Sequence, residues 1–262
     1  MHRIQPILYE RIDILGSSVV PSLLQAITTK DRAFLDSTVR ALMVSGDLNL
    51  RCAKLIFDAC SRSIVSFSAW CNTENPSIYL PFIHSPYLRR LVLILNTPAG
   101  KDHESDGSFN IPTGMLTMLT HVVVLSYSST IATWDDLERA SSAPTASLAA
   151  TPTTLASFDA FQNLTHIAVG RKAWPYISQI RKVAKKLCYF AILTIGNSLL
   201  YRIVIQEVRS LNDRRFVVVN RKHFWEGDSR CVTTFWETVE TLVSSGFISD
   251  RGHRWPMEYE KA

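Results

Sequence analysis

The chain has 262 residues, of which 47% are hydrophobic and 19% are charged. This composition, with 10 glycines and 11 prolines, excludes a disordered, collagen-like or coiled-coil protein. The net charge is +5, and residues 171–262 carry 16 of the 28 lysines and arginines but only 9 of the 23 acidic residues. This asymmetry indicates either an acidic partner or a solvated basic surface in the C-terminal part.

The cysteines and the shortness of the apolar segments indicate the cellular compartment. No two of the five cysteines form a C-x-x-C pair, so the sequence predicts neither a disulfide framework nor a structural zinc site. The N-terminus lacks the apolar core of a signal peptide, and the longest apolar stretch, residues 187–200, is too short to cross a bilayer. The sequence therefore predicts an intracellular protein, cytoplasmic or nuclear, without membrane association.

Three apolar residues with the spacing L-x-x-L-x-L recur along the chain. The copies are Tyr9-Ile12-Ile14, Val39-Leu42-Val44, Ile64-Phe67-Ala69, Leu88-Leu91-Leu93, Leu119-Val122-Val124, Leu164-Ile167-Val169 and Leu187-Phe190-Ile192. From Val39 onward they start 25, 24, 31, 45 and 23 residues apart, and three of these spacings match leucine-rich repeats. The two longer spacings contain insertions near 96–114 and 126–157, the second rich in Ala, Ser, Thr and Pro.

Helical patterns lie between the predicted strands. Pro21 marks a helix start, residues 50–60 have apolar side chains near a 3.6-residue period, and residues 174–187 form an amphipathic pattern with a basic side. The sequence thus predicts an α/β fold, a short degenerate leucine-rich-repeat-like solenoid with a roughly parallel sheet and helices on the convex side. An ordinary doubly wound sheet is the alternative, because its buried strands also read as apolar runs.

The pattern changes after residue 212. Residues 214–219 read as a strand and 234–244 as an amphipathic helix, with Glu237 and Glu240 on its outer side. We therefore expect a repeat domain over 1–212, a capping segment over 213–250 and a flexible tail over 251–262.

Short motifs along nearly the whole chain carry a family resemblance. They are Gln5-Pro6-Ile7-Leu8-Tyr9, Leu88-Arg89-Arg90-Leu91, Leu119-Thr120-His121, Leu164-Thr165-His166, Arg215-Phe216-Val217-Val218 and Phe235-Trp236. In these motifs the chain resembles the F-box/leucine-rich-repeat-like proteins of mushroom-type (basidiomycete) fungi. The resemblance implies a repeat domain that acts as the substrate-recognition part of an F-box ubiquitin-ligase subunit.

The expected partners follow from that resemblance. An F-box normally precedes the repeats, whereas this chain starts where that module should already have ended, so we expect it to lack an F-box. Association with a ubiquitin-ligase adaptor is then implied by resemblance alone, and the main partner is an unidentified protein. A truncated gene product without independent function is an alternative.

Catalytic motifs are missing from the sequence. It contains no phosphate loop, no G-x-G-x-x-G, no G-x-S-x-G and no H-E-x-x-H. We therefore predict no enzymatic activity, no catalytic residue, no metal and no cofactor.

The repeat frame predicts a binding surface. If the apolar triplets point into the core, the residues between and beside them lie on the concave strand face. There we expect Trp70, Arg90, His121, His166 and Tyr189 to contact a protein partner, the last four as a ladder across neighbouring strands.

A basic patch is the alternative site. It comprises Arg181, Lys182, Lys185 and Lys186 and would let the 171–222 region bind nucleic acid through phosphate contacts. No aromatic residue is interleaved among these lysines, so the sequence favours a protein over a nucleic acid as the partner.

Overall fold

The computed structural model describes residues 9–46, 48–71, 76–95, 111–126, 162–170, 185–194, 205–206, 208–220 and 231–244. The chain divides into two compact units, residues 1–188 and 189–262. Both units combine strands with helices, and the pairings described within each of them are parallel. The predicted α/β class with a parallel sheet is therefore confirmed.

In its described residues, the first unit contains six strands and four α-helices. The strands are β1 (Arg11–Leu15), β2 (Ala41–Ser45), β3 (Ser66–Cys71), β4 (Arg90–Leu95), β5 (His121–Ser126) and β6 (His166–Gly170). The helices are α1 (Val20–Thr29), α2 (Arg32–Thr38), α3 (Leu50–Cys60) and α4 (Thr113–Leu116), with 3₁₀ segments at Ser17–Val19 and Pro76–Phe82. The helix predicted over residues 50–60 and the helix start at Pro21 are both confirmed.

The register of β1 to β6 follows the sequence repeat. The strands lie side by side in chain order, and the second apolar position of each copy aligns across all six. This aligned row is Ile12, Leu42, Phe67, Leu91, Val122 and Ile167, and every member is buried. Because β5 pairs directly with β6, the insertion at 126–157 adds no strand between them.

A repeated backbone device aligns each strand with the one before it. The carbonyl of the residue preceding a strand accepts two N–H groups from the start of the next strand, as Arg40 O does from Val65 and Ser66. The same arrangement recurs at the carbonyls of Glu10, Val65, Arg89 and Thr120. Since one carbonyl fixes two successive donors, each strand enters the sheet without stagger.

The helix side of the sheet is built around aromatic rings. The Asn49 side chain accepts the Arg51 N–H and so caps α3 at its start. From α3, Phe57 packs edge-on against Phe67 of β3 at 5.6 Å and stacks on Tyr79 at 6.1 Å. These contacts place the helices over the row that contains Phe67.

The other side of the sheet, here called the second face, changes character along the strands. Its middle row is Asp13, Met43, Ser68, Val92, Val123 and Ala168. The first three of these side chains are half-buried, whereas the last three are 3%, 0% and 0% exposed. We call the second face of β1–β3 the open part and that of β4–β6 the buried part.

The second unit pairs two strands with one helix. Strand β7 (Tyr189–Thr194) runs parallel to β8 (Phe216–Asn220), and the buried rings of Phe190 and Phe216 stack at 4.7 Å. Helix α5 (Cys231–Ser244) confirms the helix predicted over 234–244, although it begins earlier.

One side-chain expectation for α5 is corrected. Glu237 is exposed as predicted, but Glu240 is half-buried, because the buried side of α5 extends round to it from Trp236 and Val239.

Several sequence predictions lie outside the described residues. They concern most of the insertions near 96–114 and 126–157, the tail 251–262, and the amphipathic pattern of 174–187 up to residue 184. The compact units divide before β7, whereas the sequence assigned residues up to 212 to the repeats. The repeat-and-cap division at 212/213 stays a prediction.

Candidate functional site

Three of the four recognition residues predicted in the first unit, Arg90, His121 and His166, lie next to one another on the second face. Pairing of β3 to β6 aligns Ser66, Arg90, His121 and His166 in one row. Arg90 and His121 are half-buried, and His166 is 8% exposed. Three members of the predicted ladder are thus on neighbouring strands in register.

The two histidines of this row form a tight stack. Their ring centroids are 3.9 Å apart and the ring planes differ by 10°. Parallel strands space equivalent residues by about 4.8 Å, so identical side chains in one row stack without backbone distortion. The stack follows directly from repeating Leu-Thr-His at two strand entries.

Threonine hydroxyls set the proton positions of both rings. Thr120 Oγ1 lies 2.8 Å from Nδ1 of His121 and also donates to Arg89 O at 3.1 Å. Thr165 repeats this with His166 Nδ1 at 2.7 Å and Thr120 O at 3.1 Å. Since each hydroxyl hydrogen points to a carbonyl, we assign the remaining proton to Nδ1, which leaves Nε2 as the acceptor.

His121 is neutral at physiological pH. Burial above all, together with the neighbouring His166 and Arg90, lowers the pKa of His121 to about 3. A neutral ring in this position can accept a hydrogen bond and offer an aromatic surface.

Trp70 lies two rows from the row of the histidine stack, with the Ser68 row between them. It pairs in register with Ser45 of β2 and Ile94 of β4, and its ring is half-buried. Tyr189 is the first residue of β7 and is also half-buried, but it belongs to the second unit. The predicted place of Tyr189 in the ladder stays a prediction.

The alternative basic patch is described only in part. Lys185 and Lys186 are exposed in the turn before β7, and Lys186 Nζ donates to Asn163 Oδ1 at 3.1 Å. Arg181 and Lys182 lie outside the described residues. The structure therefore places two of the four cations at the surface.

Sequence reasoning did not single out the contacts that Arg11 makes in the open part. Arg11 Nε donates to both carboxylate oxygens of Asp13, at 2.8 and 3.0 Å, and Arg11 Nη2 lies 3.7 Å from the Met43 sulfur. Their signal in the sequence was the alternation of charged and apolar residues over Arg11-Ile12-Asp13-Ile14 of β1.

Cys60 of α3 shows little nucleophilic character. Burial above all, together with the nearby Asp36 carboxylate, raises the pKa of the Cys60 thiol to about 12. Because the thiolate is the reactive form, Cys60 is a packing residue rather than a nucleophile.

Comparison with known proteins adds no relative. No protein-family model, no curated protein and no solved structure matches this chain. Among the described residues, no helix combines the length and apolar character that a bilayer crossing requires.

Proposed function

We propose that the chain is a non-enzymatic protein-interaction module. In this proposal it forms a short, degenerate leucine-rich-repeat-like solenoid with helices on the convex side, and the second face of the strands binds the partner. The observation that carries the proposal is the row of Arg90, His121 and His166 on adjacent strands. Rigid strands position these side chains before a partner arrives, which lowers the entropic cost of binding.

The chemistry of the row supports binding. Arginine and tryptophan are enriched among residues that dominate interface energies, and Arg90 and Trp70 lie on neighbouring strands of one face. The histidine stack adds ring surface beside Arg90. This combination suits a surface that recognises another protein.

The cellular role is proposed from the resemblance. The chain would supply the substrate-recognition part of an F-box-type ubiquitin ligase, with residues 213–250 capping the repeats. Attachment to the ligase adaptor would then come from outside the repeat domain.

Affinity purification from the native cell tests this function. The tagged chain is compared with Trp70→Ala and Arg90→Ala, and Arg51→Ala on the exposed side of α3 serves as the control. We expect mass spectrometry to find a protein that the wild type and control retain and both strand-face variants lose. A partner recovered equally by all four chains contradicts the proposal.

Recovery of ligase components tests the cellular role separately. If the adaptor and cullin co-purify with the wild type, the resemblance extends to ligase function. If a partner is recovered without them, the chain is a free-standing binding module.

A further inference from the structure

We infer that the open part of the second face binds one short amphipathic α-helix of a partner, with an uncharged contact side. The inference rests on the proposed function and places the partner's helix on β1–β3, beside the strand that carries Arg90. The open part comprises nine side chains, one of them exposed and the others half-buried: Arg11, Asp13, Leu15, Ala41, Met43, Ser45, Ser66, Ser68 and Trp70.

The size of the open part limits its occupant. Three strands at about 4.8 Å spacing and five residues at about 3.3 Å rise give a surface of roughly 14 by 16 Å. That is about 230 Å², whereas a stable interface between folded proteins buries about 800 Å² on each partner. A second copy of the chain or a globular domain would need far more surface, so a short segment fits better.

Hydrogen bonding favours a helix over an extended segment. The backbone groups of β2 are committed to β1 and β3, so the face offers side chains only. An extended peptide laid on it would bury N–H and C=O groups without partners, which is costly. A helix satisfies its own backbone, and its diameter of about 10–12 Å fits within the width of three strands.

The lining of the open part specifies an uncharged contact side. Arg11 and Asp13 neutralise each other within β1, so neither calls for a charged partner residue. Small side chains border the central Met43, at Ala41, Ser66 and Ser68, and leave room for a helix beside it.

Apolar side chains lie at the centre of the open part, at Met43, and at two of its corners, at Leu15 and Trp70. Leu15 is 55% exposed, and Met43 and Trp70 are half-buried. A helix with apolar and small residues on one side would cover these three side chains and bring them out of water.

A displayed peptide library tests the inference. Phage carrying amphipathic helical peptides of about twelve residues, free of tryptophan, are panned on the full chain, and the enriched peptides are synthesised. We expect peptides that become helical by circular dichroism on binding. Their affinity should fall at least tenfold in Ser68→Arg and Ser45→Arg, which fill the open part, and stay unchanged in Ser37→Arg on exposed α2.

Other outcomes overturn the inference. These are no enrichment, equal binding by Ser68→Arg and the wild type, bound peptides that stay non-helical, or a dimer of the chain that Ser68→Arg dissociates. Ser68→Arg and Ser45→Arg are first checked for a native circular dichroism spectrum. If only one of them folds, that variant alone is enough for the binding test. If a cellular partner depends on Trp70 and Arg90 while no helical peptide binds, the inference fails and the proposed function stands.

Discussion

The open and buried parts of the second face are built from the same repeat but differ in exposure. On the helix side the aligned row from Ile12 to Ile167 is buried throughout, so both parts rest on an equally packed layer. On the second face, Ser68 is half-buried while Val123, two strands away in the same row, is fully buried. One repeat can thus present a polar surface in one place and an apolar core in another.

The largest effect is expected when arginine replaces Val123 in one variant and Ser68 in another. Val123→Arg buries an unpaired cation and should lower the free energy of unfolding by at least about 3 kcal/mol. Ser68→Arg keeps its charge at the surface and should cost less than about 1 kcal/mol. Urea unfolding of the two variants measures the difference, and equal losses would mean that the open part is not open in solution.

The two sides of the sheet should also differ within β2, in how much stability is lost when a side chain is truncated. Leu42→Ala removes a fully buried side chain and should cost about 2–4 kcal/mol, because a cavity is left behind. Met43→Ala, on the half-buried second face of the same strand, should cost less than about 1.5 kcal/mol. Thermal unfolding of both variants provides the comparison, and a larger loss for Met43→Ala would reverse our assignment of the two faces.

Lowering the pH should destabilise the fold through His121 of the histidine row. The folded pKa of His121 is about 3 and its ordinary value is 6.5, so between these values only the unfolded chain binds the extra proton. Stability should therefore fall as pH drops below 6.5, by about 1 kcal/mol at pH 5 after allowance for partial exposure. The drop between pH 7.5 and pH 5, measured by urea unfolding, should shrink in His121→Gln.

His84→Gln provides the control for this pH experiment. His84 is exposed before β4, so its replacement leaves the histidine stack intact. A pH dependence that is the same in both variants would show that the stack does not contribute.

The smallest effect is expected at the Arg11–Asp13 pair. Its side chains are 30% and 19% exposed, so Asp13→Asn should cost less than about 1 kcal/mol. The same variant leaves Arg11 charged without its carboxylate. It should therefore weaken binding of a helical peptide with an uncharged contact side by more free energy than it takes from folding. Fluorescence polarisation with a selected peptide, at low and high salt, separates the two effects.

The strands and their register were predictable from the sequence. Apolar triplets at L-x-x-L-x-L spacing define which residues point to the helices, and parallel pairing then aligns equivalent positions such as Leu42 and Phe67. Helix α3 was predictable for the same reason, since its apolar residues follow the helical period.

The difference between the open and buried parts is also visible in the sequence, but in the residues between the apolar positions of the triplets. Strand β1 and the start of β3 alternate, as in Arg11-Ile12-Asp13 and Ser66-Phe67-Ser68, whereas β4 and β5 are continuous apolar runs, as in Val122-Val123-Val124. Continuous runs indicate burial on both faces. The stacking of His121 on His166 and the threonine hydrogen bonds depend on side-chain rotamers, which spacing alone does not determine.

The carbonyl that accepts two N–H groups at each strand entry bears on how such chains vary in length. At β2 and β3 the entry donors bond only to the residue preceding the neighbouring strand, as Val65 and Ser66 do to Arg40. A duplicated segment spanning residues 41–65 would therefore bring its own acceptor and find its donors already in place. Duplication or deletion of one such segment should change the number of strands while the flanking strands keep their alignment.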